Sequence, residues 1–205
     1  MSTYLAEPQP MHTHPFLNEL AEIRRRARWH IGEGAGSIDR NAVVRLLNTA
    51  LATELVCALR YRRYNAMRSQ ALGDGIKDEF AKRAQEEQSH ADQIAARIVE
   101  LGGEPNPDPP SAPYDGDDKS YADDENLTDM LAEDLIAERI AIDTYREIIR
   151  YMGDSDSATL RLFESIVTVE QEHAAGLASM REDIQRQQRA VLGANHDGHT
   201  AADTR

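Results

Sequence analysis

Cysteine is almost missing from this sequence: Cys57 is the only one among 205 residues. An internal disulfide is therefore excluded, and so is any metal site built from paired Cys-x-x-Cys motifs. Aromatic residues make up only 5% of the chain, while Leu, Ala, Ile, Glu and Arg are abundant, a balance that favours helix over sheet. No apolar run approaches the roughly 20 residues of a membrane span, and no basic-then-apolar leader opens the chain. No membrane partner is expected, and the expected compartment is the cytoplasm. The formal charge of −13 opposes wholesale nucleic-acid binding and suits attraction of cations. The length fits one domain with a buried core.

What the chain does contain is one pattern written twice. Glu87-Gln88-Ser89-His90 and Glu170-Gln171-Glu172-His173 share the Glu-x-x-His spacing. Each is preceded by a lone glutamate on an apolar helical stripe, Glu54 and Glu138, with separations of 33 (87 − 54) and 32 (170 − 138) residues. Seven residues after each lone glutamate stands a tyrosine followed by an arginine, Tyr61-Arg62 and Tyr145-Arg146.

In all four helices a glutamate takes the place of a core leucine. Burying one unpaired carboxylate costs several kcal/mol, and four together would repel one another and shift towards protonation unless cations sat between them. Two divalent ions would balance four carboxylates, and neutral imidazoles would complete the ligand set. Residues i and i+3 share a helix face, so Glu87 with His90, and Glu170 with His173, can grip one cluster. Oxygen-rich ligation with one imidazole per ion suits iron or manganese more than structural zinc. The expected metal ligands are Glu54, Glu87, His90, Glu138, Glu170 and His173, the set of a two-iron site inside a four-helix bundle.

Tyr61 and Tyr145 lie two turns from Glu54 and Glu138 on the same face. Each reads either as an amphipathic core residue with a satisfied hydroxyl or as a group that hydrogen-bonds a ligand carboxylate or supplies an electron; Tyr61 is the candidate catalytic residue. Glu86 reads as an exposed helix glutamate, with orientation of a ligand histidine as the alternative. Cys57 reads as a small core residue.

Along the chain, 1–36 form a proline-bearing arm and a short amphipathic helix with Phe16, Leu20, Ile23 and Ala27 on one face. Arg24, Arg25, Arg26 and Arg28 on that helix read as a solvated face balanced by Glu19, Glu22 and Glu33, with DNA contact as the alternative. The bundle is expected over 37–190, its first long helix capped by Ser37 or Asp39. Residues 103–125 hold a proline-rich then acidic connection, long enough to carry the chain from one end of the bundle to the other. A disordered tail is expected over 191–205. His12, His14, His196 and His199 read as incidental.

These segments resemble the ferritin-like superfamily, and within it the bacterioferritin and Dps-like branch. ATELVCALRY is similar to the first-helix signature, EEQSHADQIAARI with LGGEPN to the second helix and its exit, EDLIAERIAIDTYREII to the third helix and VEQEHAAGL to the fourth. The resemblance implies an all-α, up-down-down-up four-helix bundle with a long crossover between its second and third helices; the short N-terminal helix is additional to that pattern. Glu54 and Glu138 would be terminal ligands, Glu87 and Glu170 bridging ligands, and His90 and His173 would each bind one of two irons per subunit. Tyr61 falls where the family has a tyrosine near the iron pair. The family oxidises Fe(II) with oxygen or hydrogen peroxide and deposits ferric mineral in a cage. Haem-binding members carry a methionine where Gln88 stands, so no haem is expected. The residues after the fourth helix lack the apolar period of the fifth helix found in 24-subunit cages, which makes a 12-subunit homo-oligomer the second possibility. Two other functions stay open: a non-storing di-iron or di-manganese peroxidase or catalase, and a DNA-protecting structural protein.

Overall fold

The structure, a computed structural model, describes the backbone of residues 15–33, 39–66, 74–106 and 127–200, and for Pro15, Glu33, Asp74 and 191–200 the backbone alone. Five helices and no strand occur among the described residues: α1 (Pro15–Glu33), α2 (Arg40–Ala66), α3 (Asp74–Glu100), α4 (Leu127–Met152) and α5 (Ser157–Thr200). The expected arm at 1–14 with His12 and His14, the alternative cap Ser37, and the crossover and its prolines over 107–126 lie outside the described residues.

Helix ends follow their local chemistry. Asp39 caps α2, its Oδ1 accepting from the Ala42 amide at 2.7 Å, and Asp156 caps α5, accepting from the Ala158 and Thr159 amides at 3.1 and 3.2 Å. After α3 the chain turns at Gly102, whose φ of 70° is open to glycine, and the Gly103 amide reaches back to the Ile98 carbonyl at 2.9 Å. The start of the crossover is pinned to α2: the Asn106 amide donates to Asn48 Oδ1 at 2.7 Å, and Asn48 Nδ2 donates to the Glu104 carbonyl at 3.2 Å.

Side-chain pairings give the direction of every helix. Glu54 meets His90 while Arg62 meets Gln88 and Asn48 meets the segment after α3, so α2 and α3 are antiparallel. Tyr61 bonds Glu138 and Tyr145 bonds Glu54, so α2 and α4 are antiparallel. Arg97 bonds Thr159 at 2.9 Å while Arg83 bonds the His173 carbonyl at 2.9 Å, so α3 and α5 are antiparallel. Taking α2 as up, the order over α2 to α5 is up, down, down, up, the all-α bundle the sequence leads one to expect. The parallel pair α3 and α4 is what requires a crossover as long as the bundle.

The core runs along the inner stripes: Leu46, Leu47, Ile94, Ile98, Tyr145, Ile148 and Phe163 below the centre, and Tyr64, Phe80, Leu131 and Leu177 above it. On α4 the stripe passes through Ile148, which is fully buried, with Ile149 only partly so. Helix α2 contains a stretch long and apolar enough to cross a membrane, more than the sequence reading allowed, but most of that stretch is buried inside the bundle. Helix α1 lies across α2 and α4 with Phe16, Leu20, Ile23 and Ala27 buried. Beside it the buried Arg60 donates to Asp134 at 2.5 Å and to Glu133 at 3.0 Å, its guanidinium 3.8 Å from the centre of the Phe16 ring. Arg24 and Arg28 pair with Glu147 of α4 at 2.9 and 2.7 Å, and Arg25 with Glu22. Arg24 and Arg28 thus tie α1 to the bundle rather than being balanced within α1.

One element differs from expectation. The backbone of 191–200 is helical where a disordered tail is expected, and α5 runs on as a single helix to Thr200. A helix already nucleated gains one hydrogen bond for each residue it adds, so good helix formers such as Arg189, Ala190 and Leu192 carry it onward. Residues 201–205 and the side chains of His196 and His199 lie outside the described residues.

Candidate metal centre

All six side chains singled out by spacing meet in the middle of the bundle, one glutamate from each of α2, α3, α4 and α5 and one histidine from each of α3 and α5. They form two overlapping groups able to hold a metal ion: Glu54, Glu87, His90 and Glu170, and Glu87, Glu138, Glu170 and His173. Glu87 and Glu170 belong to both groups, and every member of either group is buried. A helix rises about 1.5 Å per residue, so the i, i+3 spacing sets each carboxylate and imidazole one turn apart on the inner face.

Both imidazoles turn Nδ1 inward. His90 Nδ1 lies 3.1 Å from Glu54 Oε2 and 3.0 Å from Glu170 Oε1. His173 Nδ1 lies 3.1 Å from Glu170 Oε2 and 3.3 Å from Glu87 Oε1. The outward nitrogen of His173, Nε2, lies 3.0 Å from Glu86 Oε2, and Glu86 is steadied by Lys82 at 3.5 Å. Glu86, read from sequence as exposed, is half-buried and orients the ring.

The donor set fits a cation. Glu87 Oε1, Glu138 Oε2 and Glu170 Oε1 are buried with no hydrogen-bond partner; the 3.0 Å approach of His90 to Glu170 Oε1 lacks hydrogen-bond alignment. Such atoms are costly unless something positive meets them. Electrostatics agrees. Burial, then the neighbouring carboxylates, pushes the Glu87 carboxyl well above its ordinary range. Burial and Glu170 do the same to Glu138, against the Tyr61 hydroxyl and Arg83. Burial opposes ionisation of Glu170 too, but the hydrogen bond from His173 and the imidazole of His90 close by outweigh it and hold that carboxyl low. Burial would neutralise His90, yet the Glu170 and Glu54 carboxylates against its Nδ1 raise it far above an ordinary imidazole. Without metal, then, protons do the work of balancing the carboxylates.

Each tyrosine bonds the glutamate of the other half: the Tyr61 hydroxyl donates to Glu138 Oε1, and the Tyr145 hydroxyl to Glu54 Oε1. Cys57 is buried beside the centre, its thiol pushed up by burial and then by Glu87, Glu138, Glu54 and Glu170. It is an inert core thiol. Sequence reasoning missed Arg83, which is buried at 1% exposure four residues before Glu87, its Nη1 donating to the His173 carbonyl at 2.9 Å. The signal was there, since i and i+4 share a helix face.

The comparisons with known proteins agree with this geometry. A "DNA protection during starvation protein" from Pyrococcus furiosus is 31% identical over 143 residues, 67% of this chain and 76% of that protein. A bacterioferritin from Rhodobacter capsulatus is 30% identical over 132 residues, 64% of this chain and 77% of that protein. Among solved structures, a dodecameric thioferritin, the bacterioferritin-related protein from Bacteroides fragilis, superposes with a TM-score of 0.62 at 26% identity, covering 84% of this chain and 99% of that one. Residues 44–187 match the family model for the ferritin-like domain. Since that match spans the four helices that bring the six side chains together, the chain belongs to the ferritin-like family.

Proposed function

We propose that this chain is a ferroxidase: it takes Fe(II) as substrate at the centre between α2, α3, α4 and α5, with oxygen or hydrogen peroxide as oxidant, for iron storage and detoxification. The observation that carries this is the pair of four-ligand groups sharing Glu87 and Glu170, with buried carboxylate oxygens that have no donor. Glu54 and Glu138 would each serve one position, Glu87 and Glu170 both, and His90 and His173 one each through Nδ1. Two Fe(II) ions held there would supply one electron each to the oxidant.

The protein's part is to bind and orient. With metal bound, Glu86 would keep the proton of His173 on Nε2 and so leave the Nδ1 lone pair free for the ion. Tyr61 and Tyr145 fix the two terminal carboxylates through their hydroxyls, and Tyr61 would also give up an electron as the catalytic residue. The apolar layers around Leu47 and Leu131 keep bulk water out.

The names of the relatives support storage in an assembly. One is a bacterioferritin and another a dodecameric thioferritin, so a homo-oligomeric cage of 12 or 24 subunits in the cytoplasm is proposed for this chain, built from the bundle at 37–190 with 1–36 and 191–205 as appendages. No haem is proposed: the amide of Gln88 is engaged by Arg62 and Asp92, at 3.0 Å each. DNA protection is the weaker reading, since Arg24 and Arg28 are occupied by Glu147.

Anaerobic Fe(II) titration of metal-free protein, followed by oxygen or peroxide, tests the proposal. About two irons per chain, from the two ligand groups, followed by oxidation and continued uptake into a soluble particle, is the expected result. Two irons retained without further uptake would move the assignment to a non-storing peroxidase or catalase. No binding would refute the centre altogether.

A further inference from the structure

The two halves of the centre repeat each other closely, and then stop doing so one layer out. Phe80 and Phe163 stand seven residues before Glu87 and Glu170 and pack on Tyr61 and Tyr145, with ring centres 5.8 and 5.5 Å apart. Four residues before the same glutamates, however, Arg83 is matched by Ile166, and one residue before, Glu86 is matched by Val169. Six residues after, Gln93 is matched by Gly176.

These differences converge on one side. Arg83 Nη1 donates to the His173 carbonyl at 2.9 Å and Nε to Glu79 at 3.2 Å. Its guanidinium carbon lies 5.9 Å from the centre of the Tyr61 ring, and the Tyr61 hydroxyl holds Glu138. The guanidinium fits because residue 176 is glycine: a Cβ there would lie 2.5 Å from Nη2. Tyr145, which holds Glu54 in the other half, packs on Phe163, with the apolar Ile166 in the place of the arginine.

Resting on the two-metal reading of the six residues, we propose that Arg83 is a positioning residue that makes the two metal positions unequal. By holding the His173 backbone and lying against the ring of Tyr61, whose hydroxyl bonds Glu138, it tightens the position formed by Glu87, Glu138, Glu170 and His173 relative to the one formed by Glu54, Glu87, His90 and Glu170. Preorganised ligands lose less freedom on binding. The guanidinium charge alone would act the other way, repelling a nearby cation. The two effects have opposite signs, so an experiment can separate them.

Co(II) titration of metal-free, full-length protein, followed by visible absorption and calorimetry, reads the two positions without any turnover. Wild type takes two Co(II) in unequal steps, and His173→Ala removes the tighter one while His90→Ala removes the weaker. Arg83→Lys, which keeps the charge but loses the fork, and Gly176→Ala, which displaces the guanidinium, weaken the tighter step by about tenfold or more and leave the other unchanged. Helical content is retained in Gly176→Ala, because alanine favours helix, so this variant decides if an Arg83 variant fails to fold. Equal steps in wild type, or unaltered steps in Gly176→Ala, would overturn the positioning role while the two-metal reading stood. Tighter binding in Arg83→Met would overturn it as well, by showing that the residue acts only as a repelling charge. Absence of any Co(II) binding by wild type would instead bring down the two-metal reading.

Discussion

Replacing Glu87 by glutamine should make the metal-free protein more stable and the metal-loaded protein less so. Glu87 is 1% exposed, its Oε1 has no partner, and it faces three other buried carboxylates. An amide of the same shape stays neutral without taking up a proton and brings two donors into a cluster of acceptors. Relief of one unsatisfied buried group is worth about 1–3 kcal/mol, or a rise in melting temperature of about 2–12 °C for a chain of this size. Metal acts in the opposite sense. An ion at about 100 times its dissociation constant stabilises the wild-type fold by about 2.7 kcal/mol, and Glu87→Gln weakens both positions because both use this residue. Calorimetric melts of the two proteins, with chelator and then with Co(II), should therefore cross: the variant melts higher without metal, the wild type higher with it. A variant less stable than wild type by more than about 2 kcal/mol without metal would refute the reasoning, because Glu87 would then be a structural residue. An equal metal-induced rise in both proteins would refute it too.

Tyr61→Phe removes a hydrogen bond to Glu138 and leaves the ring in place, so two irons per chain should still bind while stopped-flow oxidation slows by about tenfold or more; a rate equal to that of Tyr145→Phe and wild type would remove Tyr61 from the chemistry. Hydrogen bonds from Arg28, opposed by burial and assisted by Arg24, depress the Glu147 carboxyl from 4.5 to about 2. Its folded value lies below the unfolded one, so the stability it contributes is complete above about pH 5 and is lost as pH falls through 4 towards 2. Because Glu147 is near the surface the effect is at most about 1 kcal/mol, and a Glu147→Gln variant should be less stable than wild type at pH 7 and equal to it near pH 2 in urea melts. Arg60→Ala strands the buried Asp134 and should cost about 3–5 kcal/mol, whereas Arg60→Met combined with Asp134→Leu should recover most of that loss.

The ligand set was legible because it depends only on helical periodicity. Glu54, Glu87, Glu138 and Glu170 each stand on a stripe whose other members are apolar, and the three-residue step to His90 and His173 keeps them on it. The partners of Tyr61 and Tyr145 were not legible. Seven residues along a helix is about 10.5 Å, too far for either to bond the glutamate of its own helix, so each bonds the one across the bundle. That pairing depends on the antiparallel register of α2 and α4. Arg83 escaped notice because a charged residue at the edge of a stripe reads as surface, and what buries it is the absence of a side chain at Gly176, 93 residues away (176 − 83). Glu147 likewise takes up Arg24 and Arg28 from a distant helix, although α1 carries acidic residues of its own. The four-residue step to Glu87 was enough to put Arg83 on the inner face, but what it meets there, like the partners of Tyr61, Tyr145, Arg24 and Arg28, was tertiary information.

The division of ligands between the two helical hairpins has a mechanical consequence. One group draws three residues from α2–α3 and a single carboxylate from α5, while the other draws three from α4–α5 and a single carboxylate from α3. Neither hairpin can complete a position by itself. An ion bound at either position would thus be a cross-link between two halves of the chain, and part of its affinity would come from the free energy of closing them together. The peptide connection between α3 and α4 and a bound metal pair would be two independent ties across the same seam, so reassembly of a chain cut in that connection would be strengthened by metal beyond what the shared apolar core supplies.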